Sequence, residues 1–522
     1  MKLLLSRFLT PFLLGIFLLV WFSLFQSWGH FVDPDAFTHA KIASLMVQHG
    51  PLHAFPWLDL TSLGERFFDQ HFLYHVALMP FVALFGALPG IQIATVLFAT
   101  SCLLVFYGCV RSLKTENPVL WTLILAFSAP LLERLSYGKA SSMAIAWFIV
   151  GLFALLKERP WIGWLAGLGF SLTHGGWPLL LVCQFLYVFA DGLGTWRTER
   201  SFFRAIAAQA KKTSSKVLYA TIAGCALGLL LHPNMMNAFN FLWIQVVEIG
   251  VKTPMNEVAL GVEWKSMSPT ELVAFLHLFI LAGCAMFYIS NEKGWLTWPK
   301  SFSEARRRQI LCLLLPVIFL ALVTIKSKRY VEYFLPALGM FFAYADGYLT
   351  WENIKAAFVR WDGRARRIRW ATIVGTSLLL LSFSLDEVRT YTQLHSSFMP
   401  YETLIPAMKT ISSRATPGDR VFHPQWDNFP QLFMLDDRLK YISGMDPTYF
   451  YEANRALSKE YTSFVWDEAT STRVHPFIHD DLGSSYVVFD RARNTHLEEN
   501  IKKDERFLML FESTSTAAYE VR

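Results

Sequence analysis

Carboxylate and imidazole side chains are concentrated between residues 30 and 75, directly after the first long apolar run of the sequence. At a membrane surface a carboxylate can act as a general base or bind a divalent cation. Asp33 and Asp35 are the candidates for such a role, because they follow the apolar run most closely. The structural alternative is that this Asp-Pro-Asp turn caps the helix that the next residues, AFTHAKIASLM, predict. The other acidic and histidine side chains of the segment are His30, His39, His49, His53, Asp59, Glu65, Asp69, His71 and His75.

The motif DQHFLYH at the end of this segment carries three potential metal ligands, Asp69, His71 and His75. The two histidines are four residues apart, so on a helix they would share one face. One alternative is therefore a divalent cation, Mg²⁺ or Mn²⁺, that Asp35, Asp69 and His71 bind. The other alternative is that the histidines are structural and that no cofactor is needed.

The composition of the sequence indicates a membrane protein. The sequence is 53% hydrophobic and only 17% charged, whereas soluble chains have about 25% charged residues. Its apolar residues form blocks of about 17–21 residues, the length that crosses a bilayer core about 30 Å thick. The first block lacks a small-x-small cleavage site, so we interpret it as an uncleaved span. We predict about eleven spans, near residues 8–28, 91–110, 117–132, 140–156, 160–173, 177–191, 217–232, 270–290, 309–325, 330–348 and 370–386.

Lysine and arginine decide the orientation, because short cytoplasmic loops retain them. The segment 72–88 is also apolar. If it does not cross, the odd-numbered loops hold 23 of these cations and the even-numbered loops hold nine. If it crosses, the bias is lost, so we interpret it as interfacial or re-entrant. The N-terminus is then cytoplasmic, the C-terminus lies outside, and the net charge of +6 does not indicate nucleic-acid binding.

The last part of the chain has a different, polar character. Residues 387–522 mix strand-like and helical patterns, which predicts a small extracytoplasmic α/β domain. We assign residues 1–386 to a transmembrane domain, with residues 29–90 as a long outer loop that carries interfacial helices. The predicted strands are DRVFH (419–423), LKYIS (439–443) and SSYVVFD (484–490), and a helix is predicted over 451–464.

The first outer loop resembles that of a known enzyme family. Asp35 is followed by Phe37 and Lys41, then by Gly50 and the aromatic-Trp-x-Asp stretch at 55–59. This order is similar to the catalytic subunit of oligosaccharyltransferases. That family belongs to the GT-C superfamily of lipid-linked-sugar glycosyltransferases, with protein O-mannosyltransferases and lipid A aminoarabinose transferases. The resemblance implies a polyprenyl-phosphate or pyrophosphate sugar donor. It also implies that Asp35, or its neighbour Asp33, is the base or metal ligand.

Two further segments resemble the same superfamily. LERLSYGKASSMAIAWF (132–148) is similar to its second outer loop, but Gly138 and Lys139 stand where the family carries acidic or amide residues. Lys139 is therefore a candidate for binding donor phosphate rather than metal. The segment KSKRYVEYFLPAL (326–338) is similar to the span end that holds the lipid phosphate. The candidate phosphate-binding residues there are Lys326, Lys328, Arg329 and Tyr330. The alternative for them is interfacial snorkelling and an aromatic anchor.

The resemblance implies a polytopic GT-C-like enzyme. No organelle signal is visible and the loops are of modest length, so we expect a bacterial inner membrane. The enzyme would move a sugar from a polyprenyl-phosphate donor to a lipid, glycan or protein acceptor at the outer face. A transporter or flippase is one alternative, although no internal repeat typical of transporters is visible in the sequence. A GT-C-like scaffold without catalysis is the other, because the second loop lacks part of the acidic set.

Overall fold

The computed structural model of the chain divides into two compact units. The first unit comprises residues 1–26, 95–230 and 263–396, and the second comprises residues 27–94, 231–262 and 397–522. The residues described are 2–26, 31, 33–199, 202–252, 261–291, 298–299, 301–347, 349–350, 353, 375, 378, 382, 401–466, 473–491, 493 and 495–522. The domain boundary predicted at 386/387 lies outside the described residues and stays a prediction.

The first unit is helical. Several of its helices begin at a proline, which fits the first turn because that position needs no amide hydrogen. Buried aliphatic and aromatic side chains from most of these helices form one continuous core. The helices are Lys2–Phe25, Ala87–Ser112 (which begins in the second unit), Pro118–Ala126, Ala129–Ser136, Ser141–Lys157, Pro160–Thr173, Pro178–Glu199, Phe202–Lys211, Thr213–Leu231, Pro269–Asn291, Glu304–Lys326 and Val331–Ala345.

Six of the described helices are long and apolar enough to cross a membrane, and a seventh crossing results if one bent pair counts as a span. That pair, Pro118–Ala126 and Ala129–Ser136, is bent by 73°. The predicted class of polytopic helical membrane protein is confirmed, but the count of about eleven spans is not. The segments 160–173 and 330–348 are apolar, yet their helices have 14 and 15 residues. A helix of that length reaches about 21–23 Å, short of a bilayer core of about 30 Å. The last predicted span, 370–386, falls outside the described residues apart from isolated positions.

The second unit combines short helices with one sheet. Two of its loop helices end at glycines in the left-handed region, Gly50 at φ 77° and Gly86 at φ 83°. Side chains other than glycine rarely adopt this conformation, so both glycines act as helix stops. Its helices are Asp35–His49, Ser62–Glu65, Phe72–Phe85, Ala238–Leu242, the π-helix Trp243–Lys252, Ile405–Ser412, Phe429–Leu435, Thr448–Ala453, Arg455–Trp466, the π-helix Pro476–Asp481 and Thr495–Lys502.

The sheet has five strands in the order β2-β1-β3-β5-β4. β1 pairs in parallel with both β2 and β3, whereas β5 pairs antiparallel with β3 and β4. The three predicted strands are present as β1, β2 and β3. β3 is buried along its whole length, as expected for a central strand covered on both faces. The strand bounds are β1 Arg420–Phe422, β2 Lys440–Tyr441, β3 Tyr486–Asp490, β4 Phe507–Glu512 and β5 Thr516–Val521.

Candidate functional site

Four cations lie around three carboxylates at one place in the first unit. Glu263 bridges two guanidinium groups there: Oε2 accepts from Arg134 Nη1 at 2.7 Å, and Oε1 accepts from Arg329 Nη1 at 2.9 Å. Lys328 pairs with Glu271, and Arg134 Nε lies 4.0 Å from Glu332. We call Arg134, Lys139, Lys328 and Arg329 the cationic cluster. Each guanidinium has five N–H donors, so two bound to one carboxylate keep capacity for a further anion.

Backbone pairing holds Glu263 between these arginines. The amide of Lys328 donates to the carbonyl of Lys265 at 3.1 Å, and the amide of Met267 donates to the carbonyl of Ile325 at 2.9 Å. The Ser327 hydroxyl donates to the carbonyl of Glu263 at 3.1 Å. These bonds fix the segment 263–267 along 325–328, so the bridging carboxylate is preorganised.

The electrostatics of the cluster favour an ionised carboxylate. Burial by itself would raise the pKa of Glu263, but the charges of Arg329, Arg134 and Lys139 hold that pKa well below its usual value. A carboxylate that stays ionised between two arginines marks a position where negative charge is strongly stabilised. The same position would therefore favour a phosphate oxygen.

A neutral histidine lies near the cluster. Burial, together with the charge of Arg329, lowers the pKa of His174 to about 3. His174 Nδ1 accepts a hydrogen bond from the Gly176 amide at 2.9 Å, and the Tyr333 hydroxyl lies 3.2 Å from the same nitrogen. The proton of this neutral ring therefore sits on Nε2, which makes that atom a donor without charge.

The other predicted phosphate ligands have different surroundings. Lys326 is exposed at the end of its helix. Tyr330 is partly buried in a 3-10 turn, and burial raises its pKa. Lys139 is partly buried, with Nζ 5.7 Å from the centre of the Tyr137 ring. Lys139 and Arg329 thus belong to one electrostatic group, because the charges of both lower the pKa of Glu263.

Asp33 and Asp35 stand at the start of the helix Asp35–His49 in the second unit. Asp33 Oδ1 accepts a hydrogen bond from the backbone amide of Asp35 at 2.9 Å. Asp33 therefore makes a turn-forming contact, as expected if the Asp-Pro-Asp motif serves to start the helix. Asp35 lies in the first turn, where the helix dipole stabilises its negative charge.

Asp69 and two histidines form a buried chain beside this helix. Asp69 Oδ2 lies 2.8 Å from His75 Nδ1, and His75 Nε2 lies 2.8 Å from His39 Nδ1. All three side chains are at most 5% exposed. Burial would raise the pKa of Asp69, but His75 and His71 lower it below its usual value. His232 contacts the backbone of the same residue, since its Nε2 lies 2.9 Å from the Asp69 carbonyl. We call Asp69, His75 and His39 the histidine chain.

The predicted metal ligands do not converge on one point. Asp69 Oδ2 contacts His75, and Asp69 Oδ1 accepts from the backbone amide of His71 at 3.1 Å. Within the part of the chain that the structure describes, no group of three or more His, Cys, Asp or Glu side chains is placed to hold a metal ion. The described side chains therefore do not fit a metal site, and a divalent cation at Asp35, Asp69 and His71 stays a prediction.

Sequence reasoning did not identify Arg134, Glu263 or His174 as site residues. Arg134 is a single cation within an apolar stretch, and His174 interrupts two apolar runs in the motif THGGW. Both residues fall in short loops between predicted spans, so neither gives the signal of an ionisable residue at membrane depth. Glu263 gives no such signal either, because it lies in a polar loop among other acidic residues.

Solved structures with this fold match nearly the whole chain. The archaeal oligosaccharyltransferase AglB from Archaeoglobus fulgidus, in complex with an inhibitory peptide and a dolichol-phosphate, is 11% identical with a TM-score of 0.60, and the match covers 99% of this chain and 75% of that chain. ArnT from Cupriavidus metallidurans, bound to undecaprenyl phosphate, is 12% identical with a TM-score of 0.53, and the match covers 97% of both chains. The arabinofuranosyltransferase AftD from mycobacteria is 13% identical with a TM-score of 0.56, and the match covers 98% of this chain and 40% of that chain.

These neighbours are GT-C glycosyltransferases. The motif that contains Asp35, Phe37 and Lys41 predicted a GT-C-like fold, and the structural matches confirm that fold. No protein-family model matches the sequence, and no curated protein sequence matches it. Identities of 11–13% show a shared fold, while the activity has to be argued from the site.

Proposed function

We propose that this GT-C-fold chain is a glycosyltransferase that moves a sugar from a polyprenyl-phosphate donor to an acceptor at the outer face of the membrane. The fold supports the proposal, because two structural neighbours are solved with a dolichol-phosphate or with undecaprenyl phosphate. The apolar helices support it as well, since a donor with a polyprenyl tail has to be met within the bilayer.

The single observation that carries the proposal is the bridging of Arg134 and Arg329 by Glu263. A donor phosphate brings the same kind of charge to these guanidiniums as the carboxylate does. In transfer, the bond between the anomeric carbon and the phosphate oxygen breaks, and negative charge develops on that oxygen. Guanidinium groups held in place beforehand stabilise that charge without having to reorganise.

Asp35 is the proposed base. Its carboxylate would take the proton of an acceptor hydroxyl, or polarise an acceptor amide, as the new bond to the sugar forms. Asp33 is the weaker choice, because its Oδ1 is occupied by the Asp35 amide. The acceptor is a lipid, a glycan or a protein. In the proposed topology Asp35 lies on the outer side of the membrane, and the proposed location of the enzyme is a bacterial inner membrane.

The first experiment measures turnover of radiolabelled polyprenyl-phosphate sugars by the purified protein. Arg329→Gln is expected to raise the KM for the donor by about tenfold or more, because one charge-assisted contact to phosphate is lost. The double variant Arg329→Gln/Glu263→Gln also removes the carboxylate that the single variant leaves with one arginine instead of two, so it separates donor binding from misfolding. Arg473→Gln is the matched control, since Arg473 is 63% exposed and remote in sequence.

Asp35→Asn completes the assay, with and without EDTA. Loss of transfer in Asp35→Asn, but not in the wild type with EDTA, supports a base that needs no metal. Loss of transfer in both of these samples supports a divalent cation. If the wild-type protein neither cleaves nor binds any donor, the glycosyltransferase proposal fails. The transporter or the scaffold without catalysis is then the better interpretation.

A further inference from the structure

A short helix connects two membrane-length helices of the first unit. Phe202–Lys211 follows Pro178–Glu199 and precedes Thr213–Leu231, and we call it the connecting helix. Its ten residues reach only about 15 Å, so it cannot cross a bilayer core of about 30 Å. It belongs to a loop that is predicted to be cytoplasmic. Its contacts and its exposed sides indicate how it meets the membrane.

One side of the connecting helix is fixed to protein. Gln209 is buried, and its Nε2 donates to the carbonyl of Val188 at 3.2 Å and to Asp191 Oδ2 at 3.0 Å. Lys212, directly after the helix, donates to the same carboxylate at 3.3 Å. Both acceptors belong to Pro178–Glu199. The connecting helix is therefore held against the end of that membrane-length helix.

A second side of the connecting helix is apolar and exposed. Phe203 is 82% exposed and Ile206 is 52% exposed, and Ala207 is exposed as well. Residues spaced by three and four positions share one face of a helix. An apolar face of this kind, beside charged residues, is typical of a helix that lies in the membrane interface with that face among the lipids.

Cations lie beside the apolar face. Arg204 and Lys211 are exposed, and since they are seven residues apart they share a side of the helix, about a quarter of a turn from the apolar face. Between residues 192 and 216 the sequence has six lysines and arginines but only one acidic residue, Glu199. Anionic lipid headgroups complement such an excess of positive charge, and their attraction is strongest close to the membrane surface.

Aromatic side chains at neighbouring helix ends mark the same membrane surface. Trp161 lies in the first turn of Pro160–Thr173, Trp196 lies near the end of Pro178–Glu199, and Tyr219 lies near the start of its helix. All three are exposed, and the predicted topology puts all three helix ends on the cytoplasmic side. Tryptophan and tyrosine are enriched at membrane–water interfaces. These residues therefore support an interface at this level independently of the connecting helix.

We propose that the connecting helix lies in the headgroup layer of the cytoplasmic leaflet and binds anionic phospholipid. Phe203 and Ile206 insert among the acyl chains, while Arg204 and Lys211 contact the negatively charged headgroups. Through the hydrogen bonds of Gln209, this lipid contact holds the inner end of Pro178–Glu199 at the membrane surface. The placement does not depend on the proposed glycosyl transfer.

Spin labels measure the depth of each side of the helix. The full-length protein carries Cys284→Ala, because Cys284 is exposed while the other five cysteines are buried. Ile206→Cys and Lys211→Cys are then labelled singly, in vesicles with equal parts of phosphatidylglycerol and phosphatidylcholine. The label at position 206 should be more accessible to oxygen than to a water-soluble nickel chelate, and the label at position 211 should show the reverse. Nickel access that is equal at both positions overturns the proposal.

Native mass spectrometry with phosphatidylglycerol tests the headgroup. Arg204→Gln/Lys211→Gln should raise the Kd of the bound lipid about fivefold for each cation removed, since a cation near an anionic surface contributes about 1 kcal/mol. Lys409→Gln/Lys503→Gln is the matched control, because it removes two exposed cations from the C-terminal part of the chain. Its Kd should equal that of the wild type.

The two measurements have separate outcomes. An oxygen-accessible label at position 206, together with equal lipid binding by both double variants, overturns anionic phospholipid as the partner. An unaltered melting temperature in phosphatidylcholine shows that the double variant is folded, and Arg204→Gln alone replaces it if it is not.

Discussion

At the scale of single residues, one carboxylate often holds two cations in this chain. Glu263 does so in the first unit. Asp59 does so in the second, where it accepts from Arg420 at 2.9 Å and from Lys440 at 2.7 Å. Such pairs add little on an exposed surface and more when they are partly buried. Both carboxylates are partly buried, so their loss should be measurable.

Asp59→Asn is expected to lower the melting temperature at pH 7 by about 2–6 °C, which corresponds to about 1–2 kcal/mol. The reason is that Asp59 joins the first outer segment to the sheet strands β1 and β2. Thermal unfolding followed by intrinsic fluorescence in detergent measures the change. Asp504→Asn is the control with a smaller effect, since Arg506 pairs with Asp504 only two residues away.

The same variant should show a defined pH dependence. Burial would raise the pKa of Asp59, but the hydrogen bonds from Lys440 and Arg420 lower it below its usual value. A lowered pKa means that Asp59 stabilises the fold at neutral pH and stops doing so as the pH falls through that pKa. The difference between wild type and Asp59→Asn should therefore shrink below about pH 4. A constant difference down to pH 2 would contradict the ion-pair explanation.

At the scale of elements, small residues let two helices of the first unit approach closely. A Cβ atom added at Gly224 would lie 2.0 Å from the carbonyl of Trp164, and one added at Gly167 would lie 2.2 Å from the carbonyl of Thr221. Each glycine thus receives the backbone of the other helix, Pro160–Thr173 or Thr213–Leu231. Glycine is the residue that membrane helices use for such contacts.

Gly224→Ala should push these two helices apart. We expect the melting temperature to fall by about 3–8 °C, because overpacking at a backbone contact cannot be relieved by a side-chain rotation. Gly108→Ala is the matched control. It also lies within a helix, but an added Cβ there meets nothing within 4 Å, so the melting temperature should stay the same or rise. Equal effects of the two substitutions would show that the close contact is not important.

At the scale of the whole molecule, the length of the apolar helices and the distribution of lysine and arginine predict how the chain is oriented in the membrane. The chain is an integral multi-pass protein with six or seven membrane-length helices among the residues that the structure describes. Of its 47 lysines and arginines, 23 lie in the loops predicted to be cytoplasmic, nine lie in the predicted outer loops between spans, and the rest lie in the C-terminal part, 387–522. That asymmetry exists only if the helix Phe72–Phe85 does not cross. With 14 residues, this helix is short for a span.

Reporter fusions test this orientation directly. Alkaline phosphatase, which is active only outside the cytoplasm, should be active when fused after Arg522 and inactive when fused after Lys114. A fluorescent protein that matures in the cytoplasm should give the reverse pattern. Phosphatase activity after Lys114 would mean that the segment 72–88 crosses the membrane, and the predicted orientation would then be wrong.

The sequence by itself determined the helical membrane class, the strands β1, β2 and β3, and the three segments with candidate chemistry. These features are local: an apolar run of a given length, an alternation, or a motif such as Asp-Pro-Asp reports on its own neighbourhood. For the same reason the predicted count of about eleven spans stays unconfirmed, with six or seven membrane-length helices among the described residues. An apolar helix buried in protein, such as Val331–Ala345, has the composition of one buried in lipid.

Only the tertiary structure decided which residues act together. Glu263 meets Arg134 across 129 residues and Arg329 across 66, and His39 meets His75 across 36. Helical periodicity shows that a side chain lies on a buried face, but it does not show which distant face packs against it. Tertiary packing fixes the partner of a buried charge or imidazole. In the packed interior the dielectric constant is low, so a polar group without a partner is costly.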